Sequence, residues 1–168
     1  MAVITKYTDA VSIEQVKNYL RLDESIDLVL ETELTAMINA ACVLVENYTQ
    51  YYLKPQEKSY FFDETGFLNV YAFPIIGIVT PIHFDVDQIK NKGLYNQYYD
   101  TAGYSVDNTP LVLNVGYEDT VNVNPILIQG ILETIRVWFY SAESDNQQGI
   151  LPELFQMYPM ILSKPVSL

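Results

Sequence analysis

The sequence contains very few of the residues on which catalytic and metal sites depend. It has one cysteine, Cys42, and one histidine, His83, among 168 residues. A single cysteine excludes an intrachain disulfide, and one cysteine with one histidine cannot complete a four-ligand structural zinc site. The seven glycines show neither the spacing of a dinucleotide-binding loop nor that of a P-loop. We therefore expect no cofactor and no structural metal.

The remaining candidates for chemistry favour ordinary structural roles. Asp85 and Asp87 would share one face of a strand and could hold a hard cation, but the glycine and closing glutamate of a calcium loop are absent. His83 lies in a predicted strand with no nucleophile motif, which favours a structural histidine over a general base. Cys42 is predicted to be a small buried side chain. We predict that the protein is not an enzyme; a reaction near His83 and Asp85 is the alternative from another class.

Positive charge is also scarce. The chain has nine basic and 21 acidic residues, which give a formal net charge of −12. This balance argues against binding to a nucleic-acid backbone or to an anionic membrane, since both need clustered Lys and Arg. A like-charged wall does have one use, because DNA can pass it without adhering. The long charge-free stretch over residues 67–84 is interrupted by Pro74, Gly77 and Pro81, so it indicates strands and no membrane helix is predicted.

Tyrosine, by contrast, is abundant, with 14 copies. Each buried tyrosine hydroxyl needs a hydrogen-bond partner, so this number is too large for one core and suits contact surfaces. Tyr95, Tyr98, Tyr99 and Tyr104 cluster in or beside a polar stretch, residues 87–103. We predict that these tyrosines contact other molecules; a tyrosine-rich surface on a monomer is the alternative.

Helical patterns occupy both ends of the chain. Ser12 and Gln15 form a capping-box pattern, which predicts a helix over 12–22. A longer apolar stripe predicts a helix over 28–51, and Pro55 ends any continuation. Asn124 before Pro125 predicts the start of a helix over 125–140.

Between these helices, the pattern predicts strands over about 58–116. Residues 59–62 and 67–71 flank Asp63–Gly66, which predicts a hairpin with Gly66 at positive φ. Residues 87–103 form a long excursion that is either an extended hairpin or a mobile loop. Residues 111–115 close the predicted sheet. Together the patterns predict a single α+β domain over 1–168, with the terminal helices packed as a small bundle and an antiparallel sheet between them.

The last part of the chain is the best candidate for an interaction. A polar stretch precedes Pro152, which opens a predicted short helix over 152–162. An apolar terminal segment after a polar loop can pad the core or dock on a neighbour. We predict docking by residues 151–168. The candidate contact residues are Leu154, Phe155, Tyr158, Pro159, Ile161 and Leu162.

Short motifs in a particular order run along most of the chain. Near the start they are Ser12, Val16, Lys17, Tyr19, Leu20, Arg21, Leu22 and Asp23, followed by Ile38, Ala40, Ala41, Val45, Glu46, Tyr48 and Thr49. Next come Phe73-Pro74-Ile75 and Val115-Gly116-Tyr117, and then Pro125, Ile128, Ile131, Leu132, Trp138, Tyr140, Glu143 and Leu151-Pro152. In this order and spacing the sequence resembles the head–tail connector proteins of tailed bacteriophages, also called adaptor or head-completion proteins.

The resemblance implies a structural protein of the virion neck, assembled in the host cytoplasm. Such proteins form a ring, commonly a dodecamer, beneath the portal; the ring extends the DNA tunnel and offers a docking face to the tail. Portal, tail or neck proteins and further copies of the chain are then the partners, and DNA passes without sequence-specific binding. The alternatives are another neck or tail-completion ring protein and a monomeric binding module.

In such a ring the segment 151–168 would dock on the portal or on the adjacent subunit. The excursion 87–103 would reach a neighbour, the lumen or the tail. Acidic side chains of the long helix or of the excursion would face the lumen, because a tunnel wall with few positive charges does not hold DNA. The candidates for this lining are Glu31, Glu33, Asp87 and Asp100.

Overall fold

A computed structural model describes residues 3–22, 28–80, 89–91, 95–100 and 108–141, with the backbone alone for 89–91. The described chain forms two compact units. The helical unit comprises residues 3–22, 28–49 and 118–141, and the strand unit comprises 50–80, 89–91, 95–100 and 108–117. The order of helices, antiparallel strands and a further helix confirms the predicted α+β class. The prediction of one domain over 1–168 remains a prediction.

The helical unit contains four helices in the described residues: α1 (Tyr7–Ala10), α2 (Ile13–Leu20), α3 (Leu28–Thr49) and α4 (Pro125–Ser141). The capping box at Ser12 is confirmed, because the Gln15 backbone N–H donates to Ser12 Oγ at 3.1 Å and the Ser12 N–H donates to Gln15 Oε1 at 2.8 Å. Asn124 likewise caps α4, its Oδ1 accepting from the Ile126 N–H at 3.0 Å. Helix α1 was not predicted, since a single turn has no apolar period to reveal it.

Apolar side chains from all four helices fill the core of the helical unit. The fully buried ones include Val11, Val16, Leu34, Ile38, Ala41, Val45, Leu127, Ile131 and Ile135. Cys42 is also fully buried, as predicted, and burial raises the pKa of its thiol. The N-terminal residues join this unit through Ile4, whose N–H donates to the Glu118 carbonyl at 3.3 Å.

The strand unit contains two three-stranded antiparallel sheets in its described residues. One has the order β1 (Gln56–Tyr60), β6 (Leu111–Val115), β3 (Ile75–Thr80). The other has the order β2 (Phe67–Val70), β5 (Asn96–Tyr99), β4 (Ile89–Asn91). Strand β6, predicted as the last strand in chain order, is therefore the central strand of its sheet. Alternate residues of β6 and β2 enter one shared core, which is made of Tyr52, Leu68, Val70, Ala72, Tyr98, Leu111, Leu113 and Val115.

The predicted hairpin around Asp63–Gly66 is wrong in its pairing. The turn exists: Asp63 Oδ1 accepts from the Thr65 and Phe67 N–H groups, each at 2.9 Å, and Gly66 has φ 77°. Its flanking strands, however, belong to different sheets, because β1 pairs with β6 and β2 pairs with β5. A turn signal shows where the chain reverses, but strand partners depend on contacts distant in sequence.

The excursion 87–103 is an extended hairpin in the part that the structure describes. Ile89–Asn91 pairs with Asn96–Tyr99 in antiparallel register, and β2 adds a third strand. Of the two alternatives from the sequence, the hairpin is thus confirmed over these strands. Residues 81–88, 92–94 and 101–107 of the predicted strand region 58–116 lie outside the described residues.

Two of the short motifs meet inside the strand unit. The Gly116 N–H donates to the Pro74 carbonyl at 2.8 Å, which joins Val115-Gly116-Tyr117 to Phe73-Pro74-Ile75. Gly116 has φ 121°, and a Cβ atom there would lie 2.2 Å from the Lys54 carbonyl oxygen. Only glycine fits this close backbone approach.

Candidate functional site

Among the residues that the structure describes, no three His, Cys, Asp or Glu side chains are grouped so that they could hold a metal ion. His83, Asp85 and Asp87 lie outside those residues. Within the described chain, the candidate surfaces consist of the acidic side chains, the tyrosines and the long helix.

The acidic candidates differ in how freely their charge is exposed. Glu31 accepts from Lys17 Nζ at 2.7 Å, and Lys17 is a buried lysine that also lies 3.5 Å from Glu14. The hydrogen bond to Glu31 raises the pKa of Lys17, and the nearby negative charge of Glu14 raises it further. Glu33 on the same helix is exposed. The charge of Glu31 is thus partly compensated within its own unit, whereas Glu33 is the better-placed candidate on α3.

Asp100, the described acidic candidate of the excursion, is half-buried. Its backbone N–H donates to the Gly66 carbonyl at 2.8 Å, which ties the end of β5 to the turn after Asp63. Asp87 lies outside the described residues. Asp100 belongs to the strand unit and Glu33 belongs to the helical unit. These two described carboxylates are therefore not part of a cluster within one unit.

The tyrosines of the excursion turn largely toward their own unit. Tyr98 is only 2% exposed, and burial raises the pKa of Tyr98 to about 12. The expectation that Tyr98 contacts another molecule is therefore corrected: the alternation of β5 points this side chain into the core. A tyrosine on the buried face of a strand adds apolar area to the core, whatever the composition suggests.

Its neighbours also have partners within the strand unit. Tyr99 is half-buried, packs edge-on against Phe67 with ring centroids 4.8 Å apart, and donates from its hydroxyl to Gln97 Oε1 at 2.7 Å. Tyr95 lies 5.3 Å from the ring of Tyr71. Both remain partly exposed, so their role in contacts between molecules stays a prediction. Tyr104 lies outside the described residues.

The sequence analysis missed a buried polar pair in the helical unit. Glu46 of α3, a charged residue of the motif series, is only 5% exposed. The Tyr7 hydroxyl donates to Glu46 Oε2 at 2.7 Å. Burial, and then the bond to Glu46, raise the pKa of Tyr7. The sequence did not indicate this pair because Tyr7 lies in helix α1, which was not predicted.

A second network joins α2 to α4. Glu133 accepts from the Tyr19 hydroxyl at 2.5 Å and pairs with Arg136 one turn further along the helix. The hydrogen bond from Arg136 is the largest influence that lowers the pKa of Glu133. The Tyr140 hydroxyl also donates to the Leu20 carbonyl at 2.9 Å. The two tyrosine contacts join α2 to α4, and each is made by a residue of the motif series, Tyr19 or Tyr140.

The long helix α3 carries an uncovered apolar face. It is the one helix of the described chain that is long and apolar enough to cross a membrane, with a mean hydropathy of 1.7, although this reflects length and composition alone. Only 28% of that apolar stretch is buried. Leu28 is 77% exposed and Val29 is 67% exposed. A helix that buries one face in a bundle meets the same criterion, and α3 does so through Leu34, Ile38 and Val45.

Further along α3 the uncovered face becomes a groove of about 710 Å³. None of the described residues that line it is charged. The lining consists of Ala36, Asn39, Ala40, Val43, Leu44 and Asn47 of α3, with Trp138 of α4. Ala36, Ala40 and Val43 recur at i, i+4 and i+7, which is a second apolar face of the same helix. The spacing of this second face is visible in the sequence. It was overlooked because the buried apolar stripe of the same helix is more pronounced. The predicted contact residues of the C-terminal segment, Leu154 to Leu162, lie outside the described residues.

Comparison with known proteins shows a likeness of fold. No family model and no curated protein matches the sequence. Among solved structures, the chain is similar to one from a structure described as "Neck of empty GTA particle computed with C6 symmetry". The TM-score is 0.61 at 10% sequence identity, and the match covers 99% of this chain and 96% of that chain. At this identity the comparison shows that the two chains share a fold over nearly their whole lengths.

Proposed function

We propose that this protein is a structural, non-enzymatic subunit of the neck of a phage-like particle, where copies of the chain form a ring. The observation that carries the proposal is the fold shared with a neck chain over 99% of the sequence. The order of short motifs that resembles the head–tail connector family supports the same role. The motif order adds to the likeness of fold, which is found at 10% identity.

The surfaces of the described chain suit a ring subunit. A closed ring needs two different complementary patches on each copy. Helix α3 presents exposed apolar side chains, including Leu28 and Val29, and an uncharged groove beside Trp138. Exposed apolar surface of this kind is typical of an area that a partner covers. The net charge of −12 suits a wall past which DNA moves.

In finer detail, the proposed ring is a dodecamer that joins the portal to the tail and extends the DNA tunnel. A dodecamer contains sixfold symmetry, so it is compatible with a neck computed with C6 symmetry. Segment 151–168 docks on the portal or on the adjacent subunit. Glu33, which is exposed, is the candidate of α3 for the lumen, and the partly exposed Tyr95 and Tyr99 remain candidates for contact with a neighbour or the tail.

Truncation tests the docking role. A chain ending at residue 150 should fold, because the described core lies within residues 3–141, but it should fail to enter particles. The measurements are a circular-dichroism melt of the purified chain and immunoblotting of purified particles. A chain ending at residue 162 is the matched control and should be incorporated. Particles that contain the shorter chain at normal levels would contradict this role of the segment.

A further inference from the structure

The uncharged groove between α3 and α4 has no described side chain filling it, and the sequence supplies a segment of matching size. The groove runs along Ala36–Asn47 of α3, and residues 151–162 are equally many. The stretch of α3 is about 17 Å long, at about 1.5 Å per residue of helix. Within 151–162, Leu154, Phe155, Tyr158, Ile161 and Leu162 recur at the spacing of one helical face.

Charge also distinguishes this pair of surfaces. The chain carries −12, so most contacts between its copies would bring acidic groups together. The groove lining within the described chain contains no charged residue, and residues 151–162 contain a single one, Glu153. Docking of this segment in the groove therefore buries apolar surface on both sides with little electrostatic repulsion.

The place where α4 ends makes the groove accessible to this segment. Helix α4 ends at Ser141, one turn beyond Trp138 at the edge of the groove. The connecting residues 142–150 are mainly polar, and nine residues span at most about 30 Å. That reach permits docking on the same chain or on an adjacent one.

We infer that the groove lined by Ala36, Ala40, Val43 and Trp138 receives residues 151–162 of the adjacent subunit. This inference rests on the proposed function, since a ring needs two unlike patches on every copy. The groove is one patch and the C-terminal segment is the other, and exchange around the circle closes the ring. A segment docked on its own chain would cover the groove without joining any two subunits.

Disulfide trapping between two different chains tests the inference. Ala40→Cys places a thiol in the groove, and Phe155→Cys places one on the segment. The native Cys42 is fully buried and does not compete. Mixing the two single variants under mild oxidation should give a cross-linked heterodimer on a non-reducing gel. Glu57→Cys, an exposed position of the strand unit, replaces Ala40→Cys in the matched control and should give none.

The fluorescence of Trp138 provides a second readout, because it is the single tryptophan of the chain. In the full chain, acrylamide quenching of Trp138 should fall as protein concentration rises and copies associate. In a chain ending at residue 150, quenching should stay high at every concentration. Protection that is already complete in dilute full-length monomer would show docking within one chain and would overturn the inference.

Native mass spectrometry of the same mixtures separates this inference from the proposed ring. Rings that form without the cross-link between Ala40→Cys and Phe155→Cys would overturn the groove assignment and leave the ring intact. A cross-link between chains in species that never close, either alone or on particles, would support the groove and contradict the ring. Absence of both would overturn the inference and the proposed function together.

Discussion

The two units of this protein treat their apolar side chains differently. The strand unit buries part of its aromatic set, and the clearest example is Tyr98, a residue of the excursion that lies in the shared core of both sheets, while Phe61 stays 54% exposed. The helical unit buries one face of α3 and leaves another apolar face exposed, from Leu28 to the groove beside Trp138. A composition rich in tyrosine suggested the opposite division, with the excursion as the contact surface. The difference teaches that an interface is recognised by uncovered area, and residue type alone does not identify it.

The largest expected effect would break the strand unit at one backbone position. Gly116→Ala should lower the free energy of unfolding by about 3 kcal/mol or more, because the new Cβ would meet the Lys54 carbonyl oxygen at 2.2 Å and φ is 121°. Urea unfolding measures the change. Gly77→Ala is the matched control: its Cβ would meet nothing within 4 Å, so the change should stay within about 1 kcal/mol. Equal effects of the two substitutions would contradict the packing described for Gly116.

The second-largest effect on stability is expected at alkaline pH. It tests whether Tyr98 is a core residue. Its pKa is about 12 in the folded chain and about 10 when unfolded. Stability is therefore full below pH 10 and decreases as pH rises to about 12, by about 2–3 kcal/mol for this residue. Urea unfolding at pH 8 and pH 11 measures about half of this loss, about 1.4 kcal/mol, because pH 11 lies midway between the two pKa values.

The Tyr98→Phe variant is the control for this pH effect. It keeps the ring in the core but removes the titrating hydroxyl, so its stability should decrease less between pH 8 and pH 11. An unchanged alkaline loss in the variant would mean that Tyr98 does not contribute to it.

The smallest expected effect concerns the buried polar pair of the helical unit. Tyr7→Phe should cost about 2 kcal/mol, since it removes a hydrogen bond to the buried carboxylate of Glu46. Tyr140→Phe removes a bond to the Leu20 carbonyl at a more exposed site and should cost about 1 kcal/mol or less. Thermal melts of both variants measure the difference. If Tyr140→Phe lowered the melting temperature more than Tyr7→Phe, the contact between α1 and α3 would contribute little to the stability of this unit.

The sequence predicted those features that depend on neighbouring residues. The caps at Ser12 and Asn124 and the bounds of α2, α3 and α4 follow from local hydrogen bonding and helical period, and they agree with the structure within a few residues. The turn at Asp63 was also local, but the partners of its flanking strands were not. Sheet pairing joins β1 to β6 across more than fifty residues, and no pattern within either strand specifies that partner.

The residues of the candidate surfaces show the same difference between local features, which the sequence predicted, and features that depend on distant residues, which it did not. Burial of Cys42 could be predicted because it lies beside the apolar stripe of one helix. Burial of Glu46 could not, since it depends on a hydroxyl 39 residues away on Tyr7. The groove combines a visible period, Ala36, Ala40 and Val43, with Trp138 from another helix, so only the packing of α3 against α4 reveals it.

The most direct test of the central claim is a reconstruction of assembled particles that contain this chain. The proposal predicts a closed ring of copies at the neck, with Leu28, Val29 and the groove beside Trp138 covered by protein. A particle whose neck lacks the chain, or holds it as a single copy with these surfaces open to solvent, would contradict it.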